Sequence, residues 1–251
     1  VANPDDEIGQ LTAVFNQMLE RLELSFERLK HFTSDASHEL RTPLTSMRSI
    51  GEVALNESRN PAEYREAIGS MLEEIERLTK LVNNLLILTR GEQDRYLKNF
   101  QRIDLVDFVE KTVEELQPLA EEKGVQITMK GENPVFAEID PVTLRQAVVN
   151  VLHNAIVYTP EKGVVEVMVN AVNNNSAVIE IKDSGPGIPA SEREKVFQRF
   201  YRIDRSRSSE TGGAGLGLAI AKWAVGINNG SIEICDNGKI GCCCRITIPV
   251  S

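Results

Sequence analysis

A single apolar stripe at helical spacing runs through the first third of this chain, and no other feature narrows its possible folds so far. Apolar residues recur as Leu11, Phe15, Met18, Leu22, Leu29, Phe32, Ala36, Leu40, Leu44 and Met47. The steps are three or four residues, with one step of seven where polar Ser25 stands, which describes one face of one long helix. A helix with a single apolar stripe must cover it against a partner, as in a coiled coil or a dimeric bundle. A second helix opens at Asn60-Pro61. Asn60 can cap it, Pro61 suits its first position and Glu63 completes a capping box. Its stripe runs through Ala67 or Ile68, Met71, Ile75, Leu78, Val82, Leu85 and Leu88. Two such helices make a hairpin, and two hairpins make a four-helix bundle, so packing need alone predicts a homodimer.

Beyond Gly91 the pattern changes. A helix is predicted near Leu105–Glu122, a strand at Val125–Met129 and a helix from Asp140-Pro141 to about Ile156. Strands follow at Val164–Val172 and Ala177–Lys182. A loop region then spans Asp183–Gly215, followed by a helix to about Ile227 and strands at Ser231–Cys235 and Cys242–Pro249. Helices interleaved with mainly antiparallel strands give an α+β or α/β sandwich. The fold class expected is therefore multidomain: a long helical hairpin, then an α/β sandwich, in 251 residues.

The net charge of −9 and pI of about 5.1 argue against nucleic acid or an anionic membrane surface as main partner, because a phosphate backbone demands a basic face. No run of about 18 apolar residues is present to span a bilayer, and no signal peptide is recognised. The chain starts at Val1 and opens straight into a helical pattern, so a fragment of a longer protein is expected. Of the four cysteines, Cys242, Cys243 and Cys244 are consecutive and cannot readily bridge one another; Cys235 stands apart, and none shows C-x-x-C spacing. On a strand, Cys242 and Cys244 would face one side and Cys243 the other. Buried small hydrophobes in a reducing, cytoplasmic compartment are the expectation.

His38 lies two residues from both Ala36 and Leu40, about 200° around the helix from each. It therefore points away from the stripe, into a polar face with Ser34, Asp35, Arg41, Thr42 and Thr45. A merely solvated histidine fits that position too. Three neighbours favour chemistry. Glu39 can accept a proton from one imidazole nitrogen and sharpen the other as a nucleophile. Thr42, one turn on, can hold a water near a phosphoryl group on His38. Pro43 has no N–H for the carbonyl of Glu39 and is predicted to kink the helix, at a cost of about 3 kcal/mol.

His38-Glu39-Leu40-Arg41-Thr42-Pro43-Leu44 resembles the H box of sensor histidine kinases of two-component systems. The resemblance implies that His38 is autophosphorylated, that Glu39 assists phosphotransfer and that Thr42 assists the reverse, phosphatase reaction. Four further segments resemble the same family's ATP-binding domain. Asn150-Val151-Leu152-His153-Asn154-Ala155-Ile156 is similar to its N box. Asn150 and Asn154 stand four apart on one helix face, where amide oxygens can serve Mg²⁺ and phosphates. Asn154 is the expected metal ligand, and Tyr158 is expected to stack near the base. Asp183-Ser184-Gly185-Pro186-Gly187-Ile188 follows a strand and is similar to the G1 box, its carboxylate accepting from the adenine amino group. The same residues also suit a plain tight turn. Phe197-Gln198-Arg199-Phe200-Tyr201-Arg202 resembles the F box, with Arg199 and Arg202 directed to the γ-phosphate. Gly213-Ala214-Gly215-Leu216-Gly217-Leu218 opens a helix and resembles the G2 box. Free N–H groups at a helix start make a phosphate site there.

The resemblance covers nearly the whole chain. Asp6-Glu7-Ile8-Gly9-Gln10-Leu11 and Phe15-Asn16-Gln17-Met18 resemble the end of a HAMP linker, which implies a membrane-anchored parent reached only through absent N-terminal segments. The implied organisation is a HAMP end and connecting helix at 1–22, a dimerisation and histidine phosphotransfer unit at 23–92 and a Bergerat-type (GHKL) ATP-binding domain at 100–251, with a hinge near Gly91–Phe100. The implied activity is ATP- and Mg²⁺-dependent autophosphorylation of His38 and transfer to an aspartate of a response regulator receiver domain. Alternatives are a phosphatase-dominant protein, a non-catalytic ATP-gated scaffold, and a chaperone-type or mismatch-repair-type ATPase, against which the His38 segment argues. Three positions depart from the family pattern: Val157, where a lysine is usual, Asn228-Asn229 before Gly230, and Gly238-Lys239-Ile240-Gly241-Cys242 in the last hairpin. The latter two read as structural, whereas Val157 would weaken phosphate binding.

Overall fold

The computed structural model describes residues 7–56, 60–91, 96–131, 134–172, 175–203, 213–236 and 241–250. The chain divides into two compact units, 1–79 and 80–251.

In the first unit, α1 (Glu7–Asn56) runs unbroken through Pro43. The helix α2 (Pro61–Gly91), whose residues from Lys80 onward belong to the second unit, starts as its sequence dictates. The Asn60 side chain accepts from the N–H of Ala62 at 2.9 Å and of Glu63 at 3.1 Å, and the Glu63 carboxylate accepts from the Asn60 N–H at 2.9 Å. This is the reciprocal capping box that the spacing predicted. The Met71 side chain comes to 3.8 Å from where a Cβ on Gly51 would stand, so the two helices meet through a residue with no side chain. Within a single copy the stripe is largely uncovered: Leu11 is 69 % exposed, Phe15 54 %, Met18 58 % and Leu29 57 %. On α2, Ala67 is buried and Ile68 is exposed, which settles which of the two belongs to the covered face. Among the described residues no helix is long and apolar enough to cross a membrane. Of the segment resembling a HAMP end, residues 1–6 lie outside the described residues.

The second unit is built on a five-stranded sheet. Its strands are β2 (Gln126–Lys130), β4 (Val164–Val172), β5 (Ser176–Asp183), β7 (Cys243–Pro249) and β6 (Ser231–Cys235), in the order β2-β4-β5-β7-β6. Only β2 and β4 are parallel. The helices α3 (Leu105–Glu122), α4 (Pro141–Tyr158) and α5 (Gly217–Ile227) supply the other layer. Buried Leu105, Val109, Leu144, Leu152, Ile156 and Val225 from these helices join Val165, Val167, Ile179, Ile181, Cys244, Ile246 and Ile248 from the sheet in one core. The alternation along β4, β5 and β7 explains why the opposite sheet face is polar. There Arg245 donates to Glu180 at 2.7 and 2.9 Å and to Glu233 at 3.1 Å, and Lys182 pairs with Glu180 at 2.8 Å.

Two strands went unforeseen. β1 (Gln101–Asp104) and β3 (Phe136–Ile139) form a separate antiparallel pair with Gln101 opposite Ile139. The predicted loop at 183–215 contains two short 3-10 turns, Ala190–Glu192 and Lys195–Phe197. Cys243 and Cys244 are both buried, but only Cys244 belongs to the core, so adjacent cysteines do face opposite sides of β7.

The start of α4 ties several segments together. Asp140 is buried, and its carboxylate accepts from the N–H of Thr143 at 3.0 Å, the N–H of Asn99 at 2.9 Å and the hydroxyl of Tyr96 at 3.2 Å. Burial works to raise its pKa, but these donors outweigh burial and hold Asp140 below the usual carboxylate range. Tyr96 also meets Trp223 of α5 edge-on, with centroids 5.8 Å apart. Buried Asn228 completes the knot. Its oxygen accepts from the Asp140 N–H at 2.7 Å, and its amide donates to Thr143 Oγ1 and the Ala224 carbonyl, each at 2.9 Å. The departure at Asn228 is thus structural, as expected. Residues 92–95 of the expected hinge, and Gly238, Lys239 and Ile240 of the last hairpin, lie outside the described residues.

Candidate active site

The side chains expected to carry the chemistry fall in two sets, one in each unit. On α1, His38, Glu39 and Thr42 are all exposed, while Pro43 is buried and Leu40 half-buried. The imidazole therefore points away from the covered face, as helical geometry required. An open trough runs along this face, lined by His38, Arg41, Thr42, Thr45, Ser46 and Ser49. The Thr42 hydroxyl donates to the His38 carbonyl at 3.3 Å, and that of Thr45 to the Arg41 carbonyl at 2.9 Å. His38 and Thr42 are thus one turn apart on one face. Among the described residues no hydrogen bond joins Glu39 to His38.

In the second unit the turn after β5 and the start of α5 both pack against α4. Asn150 and Asn154 lie on α4 in the same register, with Val157 following one turn beyond Asn154. Facing them is Gly217, the first residue of α5. A Cβ at Gly217 would stand 3.4 Å from Asn150 Oδ1 and 3.8 Å from Asn154 Nδ2. The Asn150 Nδ2 atom is buried without a protein partner. A buried amide without a partner is costly, so it marks a place for a polar ligand. Gly215 has φ +71°, and a Cβ there would strike the Tyr201 carbonyl at 2.9 Å. Only glycine fits both the conformation and the space. The Phe200 N–H donates to the Gly215 carbonyl at 3.0 Å, and Arg202 donates to the Gly213 carbonyl. These bonds fold the segment carrying half-buried Arg199 and Arg202 onto the start of α5. Leu216 is buried, which leaves only its backbone to serve a ligand.

Asp183 is the last residue of β5. Its carboxylate accepts from the N–H of Gly185 at 2.8 Å and of Cys242 at 3.1 Å. Burial raises its pKa above the usual range, and these two N–H groups oppose the rise. A Cβ at Gly185 would meet the Tyr158 carbonyl at 2.8 Å, so the turn packs against the end of α4. Gly187 has φ +76° and lies against the Gly241 carbonyl, while Ile188 is half-buried beside it. Tyr158 itself is 47 % exposed. The sequence reading missed Gly241 and Cys242 as neighbours of the Asp183–Gly187 turn. Their contacts depend on β5 and β7 being neighbours, which no local pattern reveals.

The donor set fits an adenine nucleotide with a hard divalent cation. It offers a carboxylate at a glycine turn, amide groups four apart on a helix, and a side-chain-free helix start. Residues 28–94 match the His Kinase A (phospho-acceptor) domain. Residues 139–251 match the histidine kinase-, DNA gyrase B-, and HSP90-like ATPase family. The chain is 35 % identical over 243 residues to the sensor histidine kinase CusS of Escherichia coli strain K12, covering 97 % of this chain and 50 % of that protein. The chain belongs to the sensor histidine kinases. It spans about half the length of the curated relatives it matches. Two solved structures share the kinase fold. Histidine kinase ThkA, in complex with the response regulator protein TrrA, superposes with a TM-score of 0.73 at 20 % identity, covering 98 % of this chain and 68 % of that one. Full-length ShkA in complex with AMPPNP gives 0.66 at 25 % identity, covering 85 % and 44 %. The kinase's sandwich core begins before the matched ATPase segment, since Leu105 and Val109 are buried in it.

Proposed function

We propose that this chain is the autokinase part of a two-component sensor, with His38 as phosphoacceptor and the α4–α5 junction as the Mg-ATP site. One observation carries this reading. An exposed imidazole within a phospho-acceptor segment shares a chain with a buried, unpartnered Asn150 amide that faces a side-chain-free helix start. A related kinase, ShkA, has been solved with the ATP analogue AMPPNP.

An imidazole nitrogen of His38 attacks the γ-phosphorus, the bond to the β-phosphate oxygen breaks, and ADP leaves. Glu39 takes the imidazole proton. Asp183 accepts from the adenine amino group, Tyr158 stacks near the base, and the N–H groups at Gly215–Gly217 meet the phosphates. Asn154 and Asn150 would hold Mg²⁺, which supplies charge neutralisation on the phosphates. Arg199 and Arg202 serve the γ-phosphate. Phosphohistidine then passes its phosphoryl group to an aspartate of a response regulator. The exposed stripe on α1 and α2 is covered by a second copy in a four-helix bundle, with the phosphotransfer unit at 23–92 and the catalytic domain at 100–251. Residues 1–22 end a HAMP linker that continues to a membrane-anchored, cytoplasm-facing parent. A phosphatase-dominant balance is the second reading, favoured by Val157, half-buried on the ligand face without a charge to offer.

Incubation with γ-labelled ATP tests the proposal. The parent acquires acid-labile, base-stable label, and His38→Gln acquires none while still binding ATP. Acid-stable label, or label persisting in the variant, overturns the assignment of His38.

A further inference from the structure

Three of the four cysteines converge where the sheet supports the proposed nucleotide site. Cys235, the last residue of β6, is the direct register partner of Cys243, the first residue of β7. Directly paired residues in an antiparallel ladder put their side chains on the same face, with Cα atoms about 4.5 or 5.5 Å apart. Both separations fall within the roughly 4.4–6.8 Å that a disulfide spans. The Cys235 thiol donates to Glu233 Oε1 at 3.4 Å, and its nearness works against the burial that raises the Cys243 thiol. Cys243 is buried and Cys235 half-buried, so one member of the pair is open to a reagent. Cys242, immediately before Cys243, donates its N–H to the Asp183 carboxylate at 3.1 Å, and its carbonyl accepts from the Asp183 N–H at 2.9 Å.

We propose that Cys235 and Cys243 form a thiol modification site, closed to a cross-strand disulfide by oxidised low-molecular-weight disulfides, and that closure weakens nucleotide binding. The second part rests on the Mg-ATP reading above. In the first step the Cys235 thiolate attacks the reagent's S–S bond, forming a mixed disulfide and releasing one small thiol. The Cys243 thiolate then attacks the Cys235 sulfur and releases the second small thiol. Two protons leave the protein with the two released thiols, and the reagent is reduced as the pair is oxidised. Burial pushes the Cys235 thiol up to about 12 and also raises that of Cys243. Thiolate is therefore scarce, and closure answers sustained exposure rather than a brief pulse.

The effect on that site follows from distances. A disulfide favours Cα atoms about 5.5–6 Å apart, at or beyond the wider of the two ladder spacings. The Asp183 N–H to Cys242 carbonyl bond turns the Cys243 backbone toward β6, so Cys235 and Cys243 are a wide pair, and closing the bond adds at most about half an ångström at the residue next to Cys242. The Cys242 N–H to Asp183 bond, at 3.1 Å, already sits near the long end of the normal range. It is the contact that gives.

The experiment treats the full chain with oxidised glutathione, maps the product by peptide mass spectrometry and measures ATP binding by calorimetry. The expected product is two hydrogens lighter, with residues 235 and 243 joined. It should bind ATP roughly tenfold more weakly, and dithiothreitol should restore affinity. Cys235→Ser should bind ATP like the reduced parent and ignore the reagent. Cys235→Ala serves equally if serine disturbs the strand end. Glutathione retained on Cys235 without closure, a bridge to Cys242 or Cys244 instead, or unchanged ATP affinity after closure each overturns the proposal. Reduced protein that fails to bind ATP overturns the nucleotide reading and the gating with it. Normal ATP binding without closure overturns the thiol site alone.

Discussion

On the proposed Mg-ATP reading, replacing Asp183 by asparagine should separate recognition of the base from stability of the fold. The carboxylate oxygen Oδ1 accepts from the N–H groups of Gly185 and Cys242. An amide can keep its one oxygen on those two donors, so the turn should persist. What it loses is the anion, and its NH2 group opposes the adenine amino group where a carboxylate oxygen would accept. A hydrogen bond to a charged group contributes about 1.5–3 kcal/mol, which corresponds to a roughly 10- to 150-fold loss of ATP affinity. Stability should move the other way. Burial raises the Asp183 pKa, so between the ordinary carboxylate value and that raised value the folded chain binds more protons than the unfolded one. Stability therefore falls as pH rises through this window, and at neutral pH the buried charge remains a cost. Asp183→Asn removes that cost. The variant should melt at or above the parent temperature at pH 7, and the difference should vanish below the window. Calorimetric titration with ATP and with inorganic triphosphate, alongside thermal melts at pH 7 and pH 3, reads all of this. ATP affinity within about twofold of the parent, or equal loss for triphosphate, would refute base recognition by Asp183. A lower melting temperature at pH 7 would show that the carboxylate instead holds the turn.

Thr42→Ala should keep autophosphorylation but lose dephosphorylation of the partner regulator, measured with phosphorylated receiver domain; equal loss of both would indicate packing. Val157→Lys should tighten Mg-ATP by roughly tenfold, about 1.4 kcal/mol, with less gain at high salt and less for adenosine. Calorimetry giving no gain, or equal gain for adenosine, would mean residue 157 does not face the phosphates. Asn228→Ala should cost about 2–4 kcal/mol in chemical denaturation, because it strands the buried N–H of Asp140 and removes a donor to Thr143. A loss below about 0.5 kcal/mol would show that water replaces the amide without penalty.

Features set by local chemistry were readable in advance. The Asn60–Glu63 capping box formed with the partners its spacing implied, and His38 emerged exposed because two residues of helix rotate it off the stripe. Features set by distant pairing were not. β1 and β3 are four residues each and exist only through one another, so neither carries enough alternation to announce itself. The meeting of Gly217 with Asn150, and of Cys242 with Asp183, joins segments far apart in the chain. Motif resemblance named most of these residues without saying which atoms would touch. Asn228 shows the limit from the other side. Nothing around it in sequence points to Asp140, yet its side chain binds the start of α4 to the end of α5.

The contacts made by Tyr96 and Asn99 also decide where this chain can be divided. A catalytic piece beginning at Phe100 would carry no motif damage, yet it would leave Asp140 without the Tyr96 hydroxyl and the Asn99 N–H. It would also bare one side of Trp223. A piece beginning at Tyr96 keeps all three contacts. Any exchange of catalytic domains between related chains carries the same condition: the donor must bring its own residues for the head of α4, or the graft starts with an under-solvated acid at the helix that bears Asn150 and Asn154.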